Sequence, residues 1–395
     1  MKRRGKHWAV AGLGSLSLAV LFMGAGVRAL AQPENASENT SENAIASPIA
    51  LEKIAELTVA PGNIAVNPDG RIFMSLHQAY QPEFNVVELL SDGSVVPFPN
   101  SAWNNPPGID GIGMNSVLGI QADRQGIVWM LDNAAGVSAE EGGVPRVIGW
   151  NTASDQLEKV IPIPSPVARP GSFINDLAVD NVRNTLYLAD IVSDQGPAII
   201  VVDVETGRSR RVLIGHPSLQ PEADAPIVID GQETQLAGPE GTAIEHRMGL
   251  NPITIDPAAE WVYYGSMNGT SVWRVRADDL INAALSDEAL ATRVARYGDK
   301  PVSDGISIDV SGNVYITDLN QKAIGITQPD GTYEVLVQDD RLLWPDSLST
   351  GADGYMYVVV NKLHLSPLLN AGENESEPPY YVMRFQAPAD LVVGR

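Results

Sequence analysis

A strand-turn-strand unit occurs six times along the chain, and a repeat constrains architecture more than any single motif does. Each copy is a short apolar strand, a turn of Asp, Asn or Gly, and a second strand rich in β-branched and aromatic residues. The copies read GNIAVNPDGRIFMSLH from Gly62, LGIQADRQGIVWMLDN from Leu118 and NDLAVDNVRNTLYLAD from Asn175. They continue as NPITIDPAAEWVYYGS from Asn251, DGISIDVSGNVYITD from Asp304 and DSLSTGADGYMYVVVN from Asp346. Successive copies start about 40 to about 75 residues apart, enough for a four-stranded sheet with its loops, which is the period of a propeller. Between them, AIIVVDVETGRSRRVL from Ala198 and SVWRVRADDL from Ser271 read as outer strands. A β-sandwich does not reuse one unit six times. The expected fold is therefore all-β, a six-bladed β-propeller over residues 51–395, closed by IAELTVA from Ile54 pairing with YYVMRFQAP from Tyr380 in the last blade.

Residues 1–31 stand outside the repeat. A basic start (Lys2, Arg3, Arg4, Lys6), an apolar run from Trp8 to about Val27 and the small-x-small sequence ALA at 29–31 read as a secretory signal peptide. The alternative is a retained anchor, since the run is just long enough to span a bilayer. No cysteine follows the cleavage site, which excludes a lipoprotein. Residues 32–50 are polar and repetitive and read as a disordered linker. The expected location is secreted or periplasmic.

Removing the leader takes away five basic and no acidic residues, so 26 basic against 48 acidic becomes 21 against 48, a net charge near −27. A surface this acidic repels phosphate backbones and anionic lipid, so nucleic acid and, after cleavage, membranes are poor partners. Cations are drawn in. The absence of cysteine excludes disulfides, thiolate chemistry and cysteine-ligated zinc. The fold must rest on core burial, and 44% hydrophobic residues allow that. The expected partner is a small-molecule ligand or substrate, and the expected assembly a monomer.

In a propeller the first strand of each blade lines the central channel, and the residue two positions before its first apolar residue sits at one channel mouth. Alignment places Gly62, Leu118, Asn175, Asn251, Asp304 and Asp346 there. Four consecutive blades thus offer a side-chain oxygen. Carboxylate and amide oxygens without nitrogen or sulfur suit a hard cation such as calcium. A divalent cation, Ca in type, held by Asn175, Asn251, Asp304 and Asp346 would compensate the cost of burying Asp304. The plainer reading is that Asn-Asp and Asp-Gly pairs are ordinary turn formers.

A second set lies at the ends of the return strands: His77, Asp132, Asp190, Asp318 and Asn361, with Asp176 beside Asn175. Aspartates at strand ends often satisfy neighbouring backbone amides. His77 is the candidate proton carrier among them. His364 follows the sixth return strand, and His216 and His246 lie in the long insertion GHPSLQPEADAPIVIDGQETQLAGPEGTAIEHRMGL. Such an insertion either covers the channel mouth or packs along the side.

The chain resembles a bacterial-type member of the major royal jelly protein and yellow family. The resemblance rests on the succession FINDLAVD, LYLADI, AIIVVDVETGRSRRVL, GHPSLQPE with IVIDG, GLNPITIDP, SDGISID and WPDSLS. It implies a six-bladed propeller; some insect members are described as dopachrome-converting tautomerases, while others bind small amines or are structural. The wider superfamily includes gluconolactonases and senescence marker proteins, whose hub metal is held by Glu, Asn, Asn and Asp. Asn175, Asn251 and Asp304 match the last three in type and order. The glutamate is missing, because PGNIAV supplies Gly62 and Asn63, although Asp346 restores a charge. Insect members also use disulfides, which this chain does not make.

Three functions are compatible with these residues. In a metal-assisted lactone or ester hydrolase the cation polarises the carbonyl and Asp304 or a neighbouring carboxylate serves as base. In a tautomerase His77 and a channel aspartate such as Asp176 move a proton between carbons of a quinone-like ring. In a non-catalytic binder the mouth holds a small, cationic molecule. Fold does not choose among them. No G-x-S-x-G elbow, H-E-x-x-H, Walker loop or G-x-G-x-x-G after a strand occurs.

Overall fold

The computed structural model describes residues 49–137, 143–238 and 242–394. The leader at 1–31 and nearly all of the 32–50 linker lie outside the described residues. Among the described residues no helix is long and apolar enough to cross a membrane.

Six antiparallel four-stranded sheets follow one another along the chain. Their inner strands are Pro61–Val66, Val117–Ala122, Ile174–Asp180, Leu250–Ile255, Ile306–Ile308 and Pro345–Thr350. These touch one another in order around a ring, so the fold is a six-bladed β-propeller. The return strands are Ile72–Leu76, Ile127–Asp132, Thr185–Asp190, Trp261–Ser266, Val314–Asp318 and Tyr355–Val360. In the sixth blade the outermost strand is Leu51–Leu57, paired with Tyr380–Gln386, so the two ends of the domain close the ring within one sheet.

Six of the core clusters each span two neighbouring blades. Ile64, Val66, Met74, Val359 and Val382 join blades one and six, and Ala178, Tyr187, Ile253, Val262 and Tyr264 join three and four. A blade is thus covered on both faces, which is why strands such as AIIVVD and MYVVV are continuous apolar runs rather than alternating ones. The inner strands are also stitched across blades: the Ile64 and Val66 amides donate to the hydroxyls of Ser347 and Ser349 at 2.9 and 3.0 Å.

The two ends of the channel are finished differently. At the end where the inner strands start, residues 217–238 and 242–249 fold back over the mouth. Ala225, Ile227 and Ile229 of this insertion pack on Met267, Val302, Leu319, Trp344 and Leu363, which come from blades four, five and six. Its Gln235 amide donates to the Leu369 carbonyl and its carbonyl accepts from the Ala371 amide, both at 2.9 Å, joining it to the loop that follows the sixth return strand. At the other end the C-terminal tail runs across the inner turns. Val310 N donates to Asp390 O at 3.1 Å, Thr350 Oγ1 to Val392 O at 2.9 Å, and Asn181 Nδ2 to Gly394 O at 2.6 Å.

Candidate functional site

The inner strands do not begin as regular ladders. Register breaks between Pro61 and Ile64, Val117 and Ile120, Ile174 and Asp176, Leu250 and Ile253, and Pro345 and Leu348, each time at the hub. An irregularity of this kind bends the strand and re-aims side chains, and it accompanies active sites. The residues it turns are Gly62, Asn63, Leu118, Asn175, Asn251 and Asp346. In blade five the ladder starts at Ile306, just after Asp304-Gly305. There the glycine is required by space: a Cβ on Gly305 would stand 2.3 Å from the Asp346 carbonyl oxygen. Gly119 is equivalent, 2.4 Å from the Asn175 carbonyl oxygen. Neighbouring inner strands approach closely because these residues carry no side chain.

Asn175, Asn251, Asp304 and Trp344 form one hydrogen-bonded string. Asn175 Nδ2 donates to Asn251 Oδ1 at 2.5 Å, Asn251 Nδ2 donates to Asp304 Oδ1 at 2.5 Å, and Trp344 Nε1 donates to Asp304 Oδ2 at 2.6 Å. Asp346 accepts from Asn361 Nδ2 at 2.6 Å, and Asp176 from Asn63 Nδ2 at 3.3 Å and from the Leu177 amide at 2.9 Å. The sequence-expected ligands of blades three to six therefore lie at one place, joined directly or around one cavity. Gly62, Asn63, His77, Leu118, Asn175, Asp304, Trp344 and Asp346 all line that cavity, whose volume is about 90 Å³. At roughly 15 Å³ for each, it has room for about six waters.

The charge balance of the hub is unusual. No lysine or arginine lines the cavity. Burial pushes the Asp304 carboxyl up to about 7, although the bonds from Trp344 and Asn251 favour its ionised form. Burial also raises Asp176 to about 7 against the pull of the Leu177 amide, with the charge of Asp304 adding to the rise. Asp346 is raised well above the carboxylate range by burial and then by Asp304. Three acids with no basic partner either share protons or receive a cation. Asn175 Oδ1, in addition, is buried without a hydrogen-bond partner.

His77 lines the cavity, and its Nδ1 accepts from the Ala79 amide at 3.2 Å. Burial lowers its pKa to about 4, so the ring is neutral near pH 7 and carries its proton on Nε2. It faces a ligand as a donor rather than as a base. His246 of the insertion also lines the cavity, with Nδ1 3.0 Å from Thr234 Oγ1. His246 and His364 both stack on Trp344, with ring centroids 6.4 and 6.2 Å apart. His216 instead caps Ser218 and lies away from the cavity.

The aspartates that end the return strands do structural work. Asp132 accepts from the amides of Asn115, Ser116 and Ala134 and pairs with Arg146 at 3.2 Å. Asp190 holds Ser172, the Phe173 amide and Arg211, and Asp318 holds Gln321 and the Tyr333 hydroxyl. None of the three lines the cavity. Asn361 does belong to the hub, through Asp346. Sequence reasoning missed Trp344, although it immediately precedes the sixth inner strand. It also missed the apolar wall of Phe173, Ile191, Met248, Met267 and Leu368.

The hub fits a hard cation by donor chemistry. Its oxygens come from amides and carboxylates, one amide oxygen has no partner, and three acids lack a counter-charge. Among the described residues no group of three or more His, Cys, Asp or Glu side chains stands ready-arranged to hold a metal. Any cation here therefore depends on the asparagines.

A family model described as Major royal jelly protein matches residues 115–382. No curated protein sequence matches the chain. Among solved structures, a luciferin-regenerating enzyme is similar with a TM-score of 0.53 and 12% identity, over 88% of this chain and 98% of its own. A gluconolactonase from Xanthomonas campestris is similar with a TM-score of 0.50 and 11% identity, over 85% and 90%. Virginiamycin B lyase from Staphylococcus aureus is similar with a TM-score of 0.50 and 12% identity, over 86% and 99%. At such identities the likeness is one of fold.

Proposed function

The chain belongs to the major royal jelly protein family, and from that premise and the hub geometry we propose that it is a metal-assisted lactone or ester hydrolase. The carrying observation is the group of three uncompensated acids, Asp176, Asp304 and Asp346, around a partnerless amide oxygen on Asn175. Asn175, Asn251, Asp304 and Asp346 would hold a divalent cation of the calcium type, which would favour the ionised form of the acids. When bound it supplies Lewis-acid polarisation of a substrate carbonyl.

The chain's own residues do the rest. Trp344 fixes the orientation of the Asp304 carboxylate, and Asn361 that of Asp346. Asp176, raised to about 7 and bonded at 3.3 Å to the cavity-lining Asn63, takes a proton from water. His77 Nε2–H donates to the substrate. The insertion excludes bulk water from the mouth. The gluconolactonase sharing this fold is in keeping with the reading. A tautomerase relying on His77 as base is less well supported, because its Nδ1 is already engaged by the Ala79 amide.

Metal analysis of the purified protein, with melting followed in chelator and in added calcium, tests the cation. Asp304→Ala and Asn175→Ala are expected to abolish turnover of a lactone panel while folding survives. Full turnover in both variants, or no turnover by the calcium-loaded wild type, removes the hydrolase reading. A small amine that raises the melting temperature of a protein turning nothing over would establish a binder instead.

A further inference from the structure

Apart from the Trp344 indole, the polar side chains lining the cavity are Asn63, His77, Asn175, His246, Asp304 and Asp346, and most of the remaining lining is apolar. Asn63, Asn175, Asp304 and Asp346 converge at the axis, whereas Leu118, Phe173, Ile191, Met248, Met267 and Leu368 form the sides and rim. We infer that the site takes a neutral lactone or ester with an apolar body, and turns away polyhydroxylated and anionic ones. This rests on the hydrolase reading above and specifies its substrate class.

Two features exclude the other classes. A sugar lactone carries a hydroxyl on nearly every ring carbon, and walls of leucine, isoleucine, phenylalanine and methionine leave those hydroxyls without partners once water is expelled. An anionic substrate meets the Asp304 and Asp346 carboxyl groups and no cationic side chain, and a divalent cation held there would be balanced by those two carboxylates. The basic residues near the mouth are committed elsewhere. Arg247 is 3.0 Å from Glu233, Lys362 Nζ donates to the Glu377 carbonyl at 2.7 Å, and Lys300 Nζ donates to Pro301 O and Ser303 Oγ at 2.8 and 3.0 Å. The two imidazoles of the cavity, His77 and His246, are kept neutral by burial and supply no counter-charge. Thioether side chains adapt to the shape of an alkyl chain, and two of the walls are methionines.

The reaction closes consistently with this selection. The oxygen of water bonds to the carbonyl carbon, the ring C–O bond breaks, and the proton shed by the water ends on the departing alkoxide. The product is a hydroxy acid.

The test compares three lactones on the calcium-loaded full chain: a δ-alkyl lactone, glucono-δ-lactone and its 6-phosphate. The corresponding alkyl and glucono lactams, which resist hydrolysis, are compared by thermal shift. The alkyl lactone is expected to exceed glucono-δ-lactone in kcat/KM by at least about 100-fold, with no turnover of the phosphate. Only the alkyl lactam is expected to raise the melting temperature. Leu368 sits at the rim and is 45% exposed. Leu368→Arg is expected to bring turnover of the phosphorylated lactone to a measurable rate, because a cation there offsets the carboxyl groups of the cavity. Preference for glucono-δ-lactone, or a shift by the glucono lactam alone, overturns the substrate class. So does a chain that neither hydrolyses a lactone nor binds either lactam. An alkyl lactam that binds while no lactone is hydrolysed upholds the class and removes the hydrolase instead.

Discussion

The two ends of the inner strands carry the same residue type with different supplies of hydrogen-bond donors. At the turn end, Asp309 accepts from the Ser311 and Asn313 amides, from Asn313 Nδ2 and from the Tyr315 hydroxyl. Asp180 accepts from Val182, Arg183 and Tyr187, and Asp123 from Gln125, Ile127 and Trp129. At the hub end, Asp304 has two side-chain donors, Trp344 and Asn251, and Asp346 has Asn361. The first group is saturated with donors and holds a turn together. The second faces a cavity and other acids, so its stability cost remains open until something binds. Aspartate near an inner strand therefore means structure at one end and function at the other, and the number of donors distinguishes them.

The largest expected effect tests that distinction directly. Asp309→Ala strands two amides and a buried phenol hydroxyl, and is expected to cost about 3 to 5 kcal/mol of unfolding free energy in denaturant titration. Asp304→Ala is expected to stay within about 1 kcal/mol of wild type without calcium, because it also removes a buried, uncompensated acid. It should lose calcium affinity by at least about 100-fold. Equal destabilisation by the two substitutions would break the comparison.

The next effect is in pH. Asp304 is raised from 3.8 to about 7 in the folded chain, so the folded state holds a proton that the unfolded state releases. The stability gained is complete below the lower value and lost as pH rises towards 7, by on the order of a few kcal/mol. Without calcium the melting temperature is expected to fall between pH 5 and about 7.5, and Asp304→Asn to flatten the fall. Calcium reverses the sign, since binding requires ionised acids. A chelated protein that gains stability over this range would show that the hub acids are already compensated.

Much of this was legible in the sequence. Six repeats determine six blades, and aligning them brings Asn175, Asn251, Asp304 and Asp346 to one mouth because the repeat maps position onto space. What partners a side chain finds is not periodic. Asp132, Asp190 and Asp318 end their strands as plausibly as any hub residue, and only Arg146, Arg211 and Tyr333, which arrive from other strands, show that they are braces. The insertion was legible as either a cover over the mouth or a side packing, and the choice was not, since it depends on Ile227, Leu369 and Trp344 meeting from three distant segments. Asn63 was hidden by a single-residue offset: the irregular start of the first inner strand brings it to Asp176 beside Gly62.

A smaller effect probes the link between cover and hub. Trp344 holds a left-handed backbone, φ 63°, which is strained for a bulky residue and is kept by its bond to Asp304 and its packing under the insertion. Trp344→Phe preserves most of the ring and removes the N–H. Calcium affinity is expected to drop about 10-fold, or about 1.4 kcal/mol. An unchanged affinity in calorimetry would show that Asp304 is oriented by Asn251 alone.

The smallest effect belongs to the far end of the channel. Asn181 Nδ2 holds the Gly394 carbonyl of the C-terminal tail, and Asn181 Oδ1 accepts from the Arg124 amide at 3.1 Å. Asn181→Ala releases the tail at a cost of about 0.5 to 1 kcal/mol, seen as a melting shift of about 2 °C. The hub lies at the opposite end of the inner strands, and no hydrogen bond runs from Asn181 to it, so calcium affinity is expected to stay at the wild-type value. If affinity falls with the tail released, the two ends communicate along the inner strands. The division between a structural and a functional end would then be one of degree, set by how firmly the turn aspartates hold the strands whose other ends carry the ligands.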